Sequence, residues 1–217
     1  MTATGRGVLG VWHDVVAGQE QDFDNWYNRE HHAERVAVPG FLGARRYLNL
    51  GCGRRIFSRY DVRDVKVLGS PTYLAALNNP TPWSQRMFPG YRNTLRACFD
   101  IILRHGDVEG GFVACLRYSA AADVQAQLEG IGPALAETFG VLGVEVWRAD
   151  TGITLQPTME KALRAAPDTF PALVLLIDAG SFEVARAALA APPVRDVAGA
   201  AEVDVLQLVY QKLAASV

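Results

Sequence analysis

One segment of the chain combines aromatic, acidic and imidazole side chains at the spacing of helical turns. Residues 26–35 read WYNREHHAER. In an α-helix Tyr27 and Glu34 lie about one turn before and after His31, so the three side chains share a face. A histidine beside a carboxylate and a phenol is suited to general acid or base catalysis. We therefore predict a proton-handling site with His31, Glu30 and Tyr27 as its catalytic residues.

A solvent-facing helix surface would also explain these charges, because residues four positions apart form weak ion pairs on exposed helices. The recurrence of Phe23, Tyr27, His31 and Val38 at helical spacing instead favours a buried stripe that faces a sheet. His32 lies about 100° further round such a helix and is expected to face solvent. The sequence thus predicts that His31 lies between helix and sheet.

Further polar and aromatic side chains lie on neighbouring predicted elements. Arginines and tyrosines on two predicted strands could anchor a carboxylate, an enolate or a phenolate, or could be surface residues with packed stems. The tryptophan of a Pro-rich loop at 78–83 could cover a pocket or attach its loop to the core. The candidate substrate-binding residues are Trp12, His13, Glu34, Arg46, Tyr47, Tyr60, Trp83 and Arg86.

Other kinds of chemistry have little support in the sequence. His31 and Glu34 would place two metal ligands on one helix face, but a third ligand at a suitable place is lacking, so we predict no metal site. The sequence has no Gly-x-Ser-x-Gly elbow, P-loop or dinucleotide fingerprint, and we expect no cofactor.

Composition limits the class of protein. The 217 residues are 50% hydrophobic and 20% charged, with a formal net charge of -2, which favours a globular protein that binds a small molecule and neither nucleic acid nor membrane. The 3 cysteines form no metal-binding spacing. We expect no secretory leader, because the first residues lack a basic segment followed by an apolar one, and no apolar run approaches ~20 residues. We expect a cytoplasmic protein that could form a homodimer.

Hydrophobic periodicity predicts the order β-α-β-β-α-β in the first half of the chain. The strands cover residues 7–16, 44–50, 55–62 and 95–103, and the helices cover 19–38 and 71–77. This order is that of the split βαβ unit of ferredoxin-like folds. In the last strand we expect the side chains of Leu95, Ala97 and Phe99 to face the helices, with Arg96 and Cys98 on the other side.

The second half repeats the same order. Its strands are predicted at 112–118, 141–148, 172–178 and 203–213, and its helices at 121–139 and 181–190. We predict an α+β fold made by tandem duplication of a ferredoxin-like βαββαβ unit, with domains at 1–106 and 107–217. The two four-stranded antiparallel sheets would pack face to face, as a sandwich or barrel within one chain.

Several short motifs of the first half carry a resemblance to a known family. They are WYxxEH at 26–31, VPGF at 38–41, RRY at 45–47, YLxxL at 73–77 and NPxPW at 79–83. With these motifs the chain resembles the EthD-like family of the dimeric α+β barrel superfamily. The resemblance covers about residues 8–100, whereas the second half matches by topology alone. It implies an intrachain dimeric α+β barrel with pockets between sheet and helices.

The resemblance also carries expectations about function. Members and relatives include cofactorless isomerases, lactone-processing enzymes, polyketide cyclases and monooxygenases, and more distant relatives bind haem. The histidine of the family's helix corresponds to His31, which implies an acid/base role. The predicted helix at 121–139 has no histidine. We therefore expect the site to belong to the first half, with the second half as its structural partner.

Together these observations predict a cofactor-independent lyase, isomerase or cyclase that acts on a small aromatic, lactone or polyketide-like carbonyl compound. His31 would move the proton, and Glu30 or Glu34 would orient the imidazole or tune its charge. Tyr27 would form a hydrogen bond with the substrate or with the histidine. The oxyanion that develops would be stabilised by Arg46, Tyr47 or Tyr60.

Two alternatives remain open at this point. One is a non-catalytic binding or accessory protein that holds a hydrophobic ligand in the same cleft. The other is a haem-binding protein of the same superfamily, with His31 or His13 as axial ligand.

Overall fold

The computed structural model describes residues 5–120 and 124–215, in which eight antiparallel strands close into a barrel. The strands are β1 (Gly7–Val15), β2 (Phe41–Asn49), β3 (Ile56–Val62), β4 (Tyr91–His105), β5 (Phe112–Tyr118), β6 (Val141–Ala149), β7 (Leu173–Ala179) and β8 (Glu202–Leu213). Each predicted strand corresponds to one of these. β4 is longer than predicted, because its first residues are polar and carry no alternation.

The helices pack on the outside of the barrel. The first, α1 (Glu20–Trp26), continues through a π-helical turn (Tyr27–His31) into α2 (His32–Val36). The others are α3 (Pro71–Asn78), α4 (Pro82–Met87), α5 (Gln125–Ala136), α6 (Thr151–Thr154), α7 (Met159–Ala162), α8 (Phe182–Ala190) and α9 (Pro192–Ala198). The predicted helix at 121–139 corresponds to α5, and residues 121–123 lie outside the described part of the chain.

The start of α4 falls where the sequence predicted a loop. The Thr81 hydroxyl accepts a hydrogen bond from the Ser84 backbone N–H at 3.0 Å, and Pro82 occupies the first helical position. A capping hydroxyl followed by proline is a recognised start signal for a helix. Periodicity did not detect it, because six residues are too few to show a helical repeat.

Both halves of the barrel have the strand order of a ferredoxin-like unit. In the first half the order is β4-β1-β3-β2, and in the second it is β8-β5-β7-β6. The two sheets join edge to edge through the pairs β2–β8 and β4–β6, all antiparallel. The predicted fold class is confirmed, and the division into domains at 1–106 and 107–217 stays a prediction.

The barrel interior is packed with aromatic and aliphatic side chains from both halves. The Trp12 ring stacks on Phe57 with 4.5 Å between centroids, and Trp147 lies 5.6 Å from Phe99. Buried ion pairs lie on either side of this cluster, Arg45 with Asp61 and Arg117 with Asp204. The remaining members are Val8, Tyr47, Leu95, Ala97, Val113, Cys115, Val174, Leu176 and Leu206.

The predicted orientation of β4 is wrong. Leu95, Ala97 and Phe99 belong to the barrel interior, whereas Cys98 belongs to the core beneath the helices of the first half. Alternation along a strand separates two faces but does not say which one faces the helices. In a closed barrel both faces are buried, so apolar residues occur on each.

A long connection between β6 and β7 reaches across to the first half. We call residues 150–172, which include α6 and α7, the strap. β4 pairs with β6 only from Phe99 onward, and the strap replaces β6 alongside the earlier part of β4. The Asp150 N–H donates to the Cys98 carbonyl at 2.8 Å, and the Arg96 N–H donates to the Thr169 carbonyl at 2.9 Å.

Two further properties of the described residues bear on the expectations from sequence. None of their helices is long and apolar enough to cross a membrane. Cys52 is exposed, Cys98 and Cys115 are buried, and all three are free thiols.

Removing an interior ring should destabilise the whole barrel. Phe57→Ala should lower the free energy of unfolding by ~3–5 kcal/mol, because the cavity lies between Trp12 and Tyr47 and cannot collapse. Urea denaturation followed by circular dichroism measures this value. The control Val209→Ala, at a strand position with 44% exposure, should cost less than about 1 kcal/mol. Equal losses for the two variants would show that the barrel interior is not the main core.

Candidate active site

The helix that carries the histidines contains one wide turn. The His32 N–H bonds to the Tyr27 carbonyl five residues earlier, which makes residues 27–31 a π-helical turn. The wider turn brings His31 and His32 both inside, since each lies close to one full turn from Tyr27. Such turns are frequent at functional sites.

A small enclosed hollow lies between this helix and the first sheet. The volume open to the centre of a water molecule is about 20 Å³, enough for about one water. Its lining is mainly polar and aromatic. The lining residues are Leu9, Val11, Tyr27, His31, Arg35, Tyr60, Tyr73, Phe88, Tyr91, Arg96, Glu160 and Arg164.

His31 lies on the wall of this hollow with 6% of its surface exposed. Its ring stacks on Trp26 at 4.2 Å between centroids. Burial, and next the positive charge of Arg35, hold the pKa of His31 well below its usual value. The imidazole is therefore neutral at physiological pH and can accept a proton.

Glu34 is the acidic residue beside His31. One carboxylate oxygen lies 3.7 Å from His31 Nδ1, which is beyond a hydrogen bond, and the Glu34 side chain is 30% exposed. At this distance the carboxylate stabilises a protonated imidazole by charge without fixing the orientation of the ring.

Tyr27 belongs to a chain of hydrogen bonds that ends at His13. His13 Nδ1 lies 3.0 Å from the Asp14 carbonyl oxygen, which can only accept, so this nitrogen carries the proton. His13 Nε2 then accepts from the Tyr27 hydroxyl at 3.0 Å. Tyr91 in turn donates to Tyr27 at 2.5 Å. Burial lowers the pKa of His13 to about 4, which keeps it neutral as this chain requires.

Several buried polar atoms around the hollow have no hydrogen-bond partner among the described residues. They are Tyr60 Oη, His31 Nδ1, Arg164 Nε, and Nε and Nη1 of Arg35. Burial raises the pKa of Tyr60 well above its usual value, so its hydroxyl stays a donor. Buried polar groups are normally satisfied, and their concentration at one place is typical of a binding or catalytic site.

The strap supplies two residues of the hollow, so the expectation that the site belongs to the first half alone is wrong. Glu160 forms a buried ion pair with Arg35, and Arg164 lies over the Tyr91 ring at 5.3 Å. Burial raises the pKa of Glu160, and the adjacent Arg35 guanidinium opposes this shift. The second half is therefore part of the site as well as a partner of the sheet.

The prediction that His32 faces solvent is wrong. Its ring is fully buried among Tyr27, Tyr60 and Tyr210, with 4.9 Å between its centroid and that of Tyr210. The π-helical turn rotates it inward, and β8 covers it from the second half. Neither of its ring nitrogens has a hydrogen-bond partner among the described residues, and His32 does not line the hollow.

Glu30 does not orient His31, contrary to the prediction. Its carboxylate accepts a hydrogen bond from the Thr81 hydroxyl at 2.6 Å. It thus joins the first helix to the start of α4, a structural role.

Trp12 and Tyr47 lie on the opposite face of the sheet from His31. Both belong to the barrel interior, so the prediction that they share a site with His31 is wrong. Tyr60 lines the hollow because it points to the helix side of β3. Side chains alternate between the two faces along a strand, so Arg46 and its neighbour Tyr47 point to opposite faces. Tyr47 points to the barrel interior, and Arg46 therefore shares the helix side with Tyr60.

The remaining candidates do not line the hollow. Arg46 lies over the Tyr27 ring at 5.5 Å and forms an ion pair with Asp24 at 2.9 Å. Trp83 packs against the helix-side core, and the exposed Arg86 donates to the Pro82 carbonyl of its own helix. The structure does not bring Trp83 or Arg86 to the hollow.

Sequence reasoning missed several residues of the hollow for different reasons. Arg35 follows His31 by one turn and could have been found from the helical repeat. Tyr91 lies on β4 before the predicted strand at 95–103, and Arg96 lies on the face of β4 that the prediction turned away from the helices. Glu160 and Arg164 lie in a connection without periodicity, and no signal in the sequence links them to His31.

Among the described residues, the donor atoms favour neither a metal ion held by three or more ligands nor a haem bound through His13. Among the described residues no group of three or more His, Cys, Asp or Glu is placed to hold a metal ion. Both nitrogens of His13 are engaged in hydrogen bonds, which leaves neither free to bind iron.

A larger open groove lies away from this chemistry. Its volume is about 470 Å³, and it is bounded by α8, the start of β8 and the β2–β3 turn. Apart from Arg186 and Asp204 its lining is uncharged and mostly aliphatic. Volume alone therefore does not identify the reactive site.

Comparisons with known proteins support the fold. The sequence matches no protein-family model and no curated protein. An anthrone oxidase-like protein of known structure shares 12% identity at a TM-score of 0.63, over 100% of this chain and 97% of that chain. A putative monooxygenase from Fusobacterium nucleatum shares 10% identity at a TM-score of 0.59, over 96% and 95%.

A putative monooxygenase from Lactobacillus acidophilus NCFM is similar as well, with 8% identity, a TM-score of 0.58 and 98% of each chain covered. Identities this low show the fold alone. The chain has the fold of the dimeric α+β barrel superfamily.

His32 should make the protein sensitive to acid. Burial holds its pKa at about 2, against an ordinary value of 6.5. Below pH 6.5 the unfolded chain binds a proton that the folded protein does not, so stability falls as the pH falls. His32→Phe removes this proton and loses no hydrogen bond. Between pH 6.5 and 5.5 the wild-type free energy of unfolding should drop by about 1 kcal/mol more than that of the variant, measured by urea denaturation. Parallel pH profiles would contradict the burial of a neutral His32.

Proposed function

We propose that this protein is a cofactor-independent acid/base enzyme of the EthD-like family, acting on a small aromatic or polyketide-like carbonyl compound. His31 removes a proton from a carbon next to the carbonyl group. The electron pair of that C–H bond moves to the carbonyl oxygen, which leaves an enolate and an imidazolium. Return of the proton at another position completes an isomerisation. The observation that carries this proposal is a neutral, buried His31 on the wall of an enclosed polar hollow.

The surroundings of His31 suit this step. The enolate oxygen needs hydrogen-bond donors placed in advance, and Tyr60 and Arg35 supply unpartnered donors in the same hollow. Burial raises the pKa of Tyr91 well above its usual value, so this hydroxyl also remains protonated. The imidazolium forms beside Arg35, which disfavours it, but the enolate and Glu34 offset that repulsion.

The hollow in this structure is closed. Its volume admits about one water, so a carbonyl compound enters only when the strap moves away from the helix. Exclusion of water during the reaction strengthens the electrostatic interactions within the site.

Oxygenation is a second candidate function, favoured by the likeness to monooxygenase-like and anthrone oxidase-like proteins. It shares the first step with the isomerase. The enolate formed at His31 would react with O₂ instead of recovering a proton. For anthrone the balance is one anthrone and one O₂ giving one anthraquinone and one water.

Anthrone is a suitable probe, because proton loss at C10 gives an aromatic enolate. The wild-type protein should accelerate exchange of the C10 protons in deuterated buffer, followed by nuclear magnetic resonance without oxygen. His31→Gln should slow this exchange by ~100- to 10,000-fold, because the general base is lost. The control His32→Gln changes the adjacent imidazole, which does not line the hollow, and should keep the wild-type rate.

The outcomes separate the candidate functions. Exchange in wild type and loss in His31→Gln support acid/base catalysis, and anthraquinone formation in air adds the oxygenase activity. Anthrone binding without any His31-dependent exchange would indicate a binding protein and would overturn the proposal.

A further inference from the structure

The charges around the hollow are unequal. Three guanidinium groups line it, those of Arg35, Arg96 and Arg164, whereas Glu160 is the one carboxylate among the lining residues. Asp168, which does not line the hollow, forms an ion pair with Arg164. Arg96 reaches the Tyr73 hydroxyl at 3.5 Å, a neutral partner. Among the residues that line the hollow, positive charges therefore outnumber negative ones, and Glu34 approaches Arg35 Nη2 at 3.8 Å from outside the lining.

Arg35 has more buried nitrogen atoms without a hydrogen-bond partner among the described residues than either of the other two arginines. It is 2% exposed, and only its Nη2 atom donates a hydrogen bond to a described residue, to the Glu160 carboxylate. Its Nε and Nη1 atoms have no partner among the described residues. A buried guanidinium is built to bind an anion through two parallel hydrogen bonds. In Arg35 only Nη2 is used in this way, and Nε and Nη1 remain without a partner among the described residues.

Glu160 reaches Arg35 only because of the strap. The strap is joined to β4 near both of its ends, and at α7 the Met159 N–H donates to the Asn78 side chain at 2.9 Å. Movement of the part between these ends, with loss of the Met159–Asn78 hydrogen bond, would withdraw Glu160 from the hollow. Arg35 belongs to the first helix and would stay.

We infer that the hollow binds an anionic oxygen of its ligand on Arg35, in the position that the Glu160 carboxylate occupies in the closed structure. This inference deepens the proposed function and rests on it, since it names the charge of the group that the site recognises. The enolate oxygen formed at His31 and a carboxylate carried by the substrate share this chemistry. Glu160 competes with the ligand and is a specificity-determining residue, and Arg35 is the anchor.

Two ligands of equal shape and different charge test this inference. Anthracene-9-carboxylate is an anion, and 9-anthracenemethanol is its neutral counterpart. Titration followed by ligand fluorescence should show a preference of the wild-type protein for the carboxylate. Glu160→Gln should tighten carboxylate binding by about 10-fold and change alcohol binding by less than about 2-fold, because only the anion competes with Glu160. Glu137→Gln, the same change at an exposed position, should leave both affinities at the wild-type value.

Arg35 is tested in a double variant, because Arg35→Gln alone would leave Glu160 buried without a partner. Arg35→Gln with Glu160→Gln keeps two polar side chains in contact and should lose the preference for the carboxylate. Circular dichroism confirms that the double variant is folded. This result also excludes binding at the larger groove, which contains neither residue.

The inference is overturned if the carboxylate fails to bind Glu160→Gln, if this substitution weakens its binding, or if the double variant keeps the preference. Binding is measured without turnover, and His31→Gln should retain the carboxylate preference. Failure of the proposed acid/base chemistry therefore remains distinguishable from failure of the anion site.

Discussion

The barrel closes through β4 and β6, and only the second part of β4 takes part in that closure. Pairing begins at Phe99, which leaves the outer edge of β4 between Thr94 and Cys98 without a strand partner. Exposed backbone groups at a sheet edge need other partners. The strap supplies these partners, and its middle part consequently lies over the helices of the first half. The enclosed hollow beside His31 depends on this register, since a full-length ladder between β4 and β6 would leave no place for the strap.

Barrel closure also determines on which side of the sheet chemistry can occur. The interior face of the barrel is packed with Trp12, Phe57, Trp147 and their neighbours. The polar groups of the hollow lie in the layer between sheet and helices. There the π-helical turn adds a second buried imidazole beside His31.

The sequence was sufficient for the fold but only partly for the site. The alternating pattern of strands and the helical repeat follow one another in the same order in both halves. Both patterns arise from local burial, which the spacing of apolar residues in the sequence shows directly. The stripe of Tyr27 and His31 was predictable for the same reason. The side of each strand that faces the helices was not predictable. Leu95 and Cys98 are both apolar, and Tyr47 and Tyr60 are both aromatic, yet each pair divides between the barrel interior and the helix layer.

The contribution of the strap could not be predicted, because 125 positions separate Arg35 from Glu160. The two halves share a strand order but differ in the corresponding connection. The β2–β3 connection is a short turn at 50–55, whereas the β6–β7 connection is the strap at 150–172. The first half carries His31, and α5 of the second half has no histidine. Because one chain contains both halves, neither has to be complete. The first half supplies His31 and the second supplies the strap that covers it, so the hollow of the described residues is built from both halves of the repeated fold.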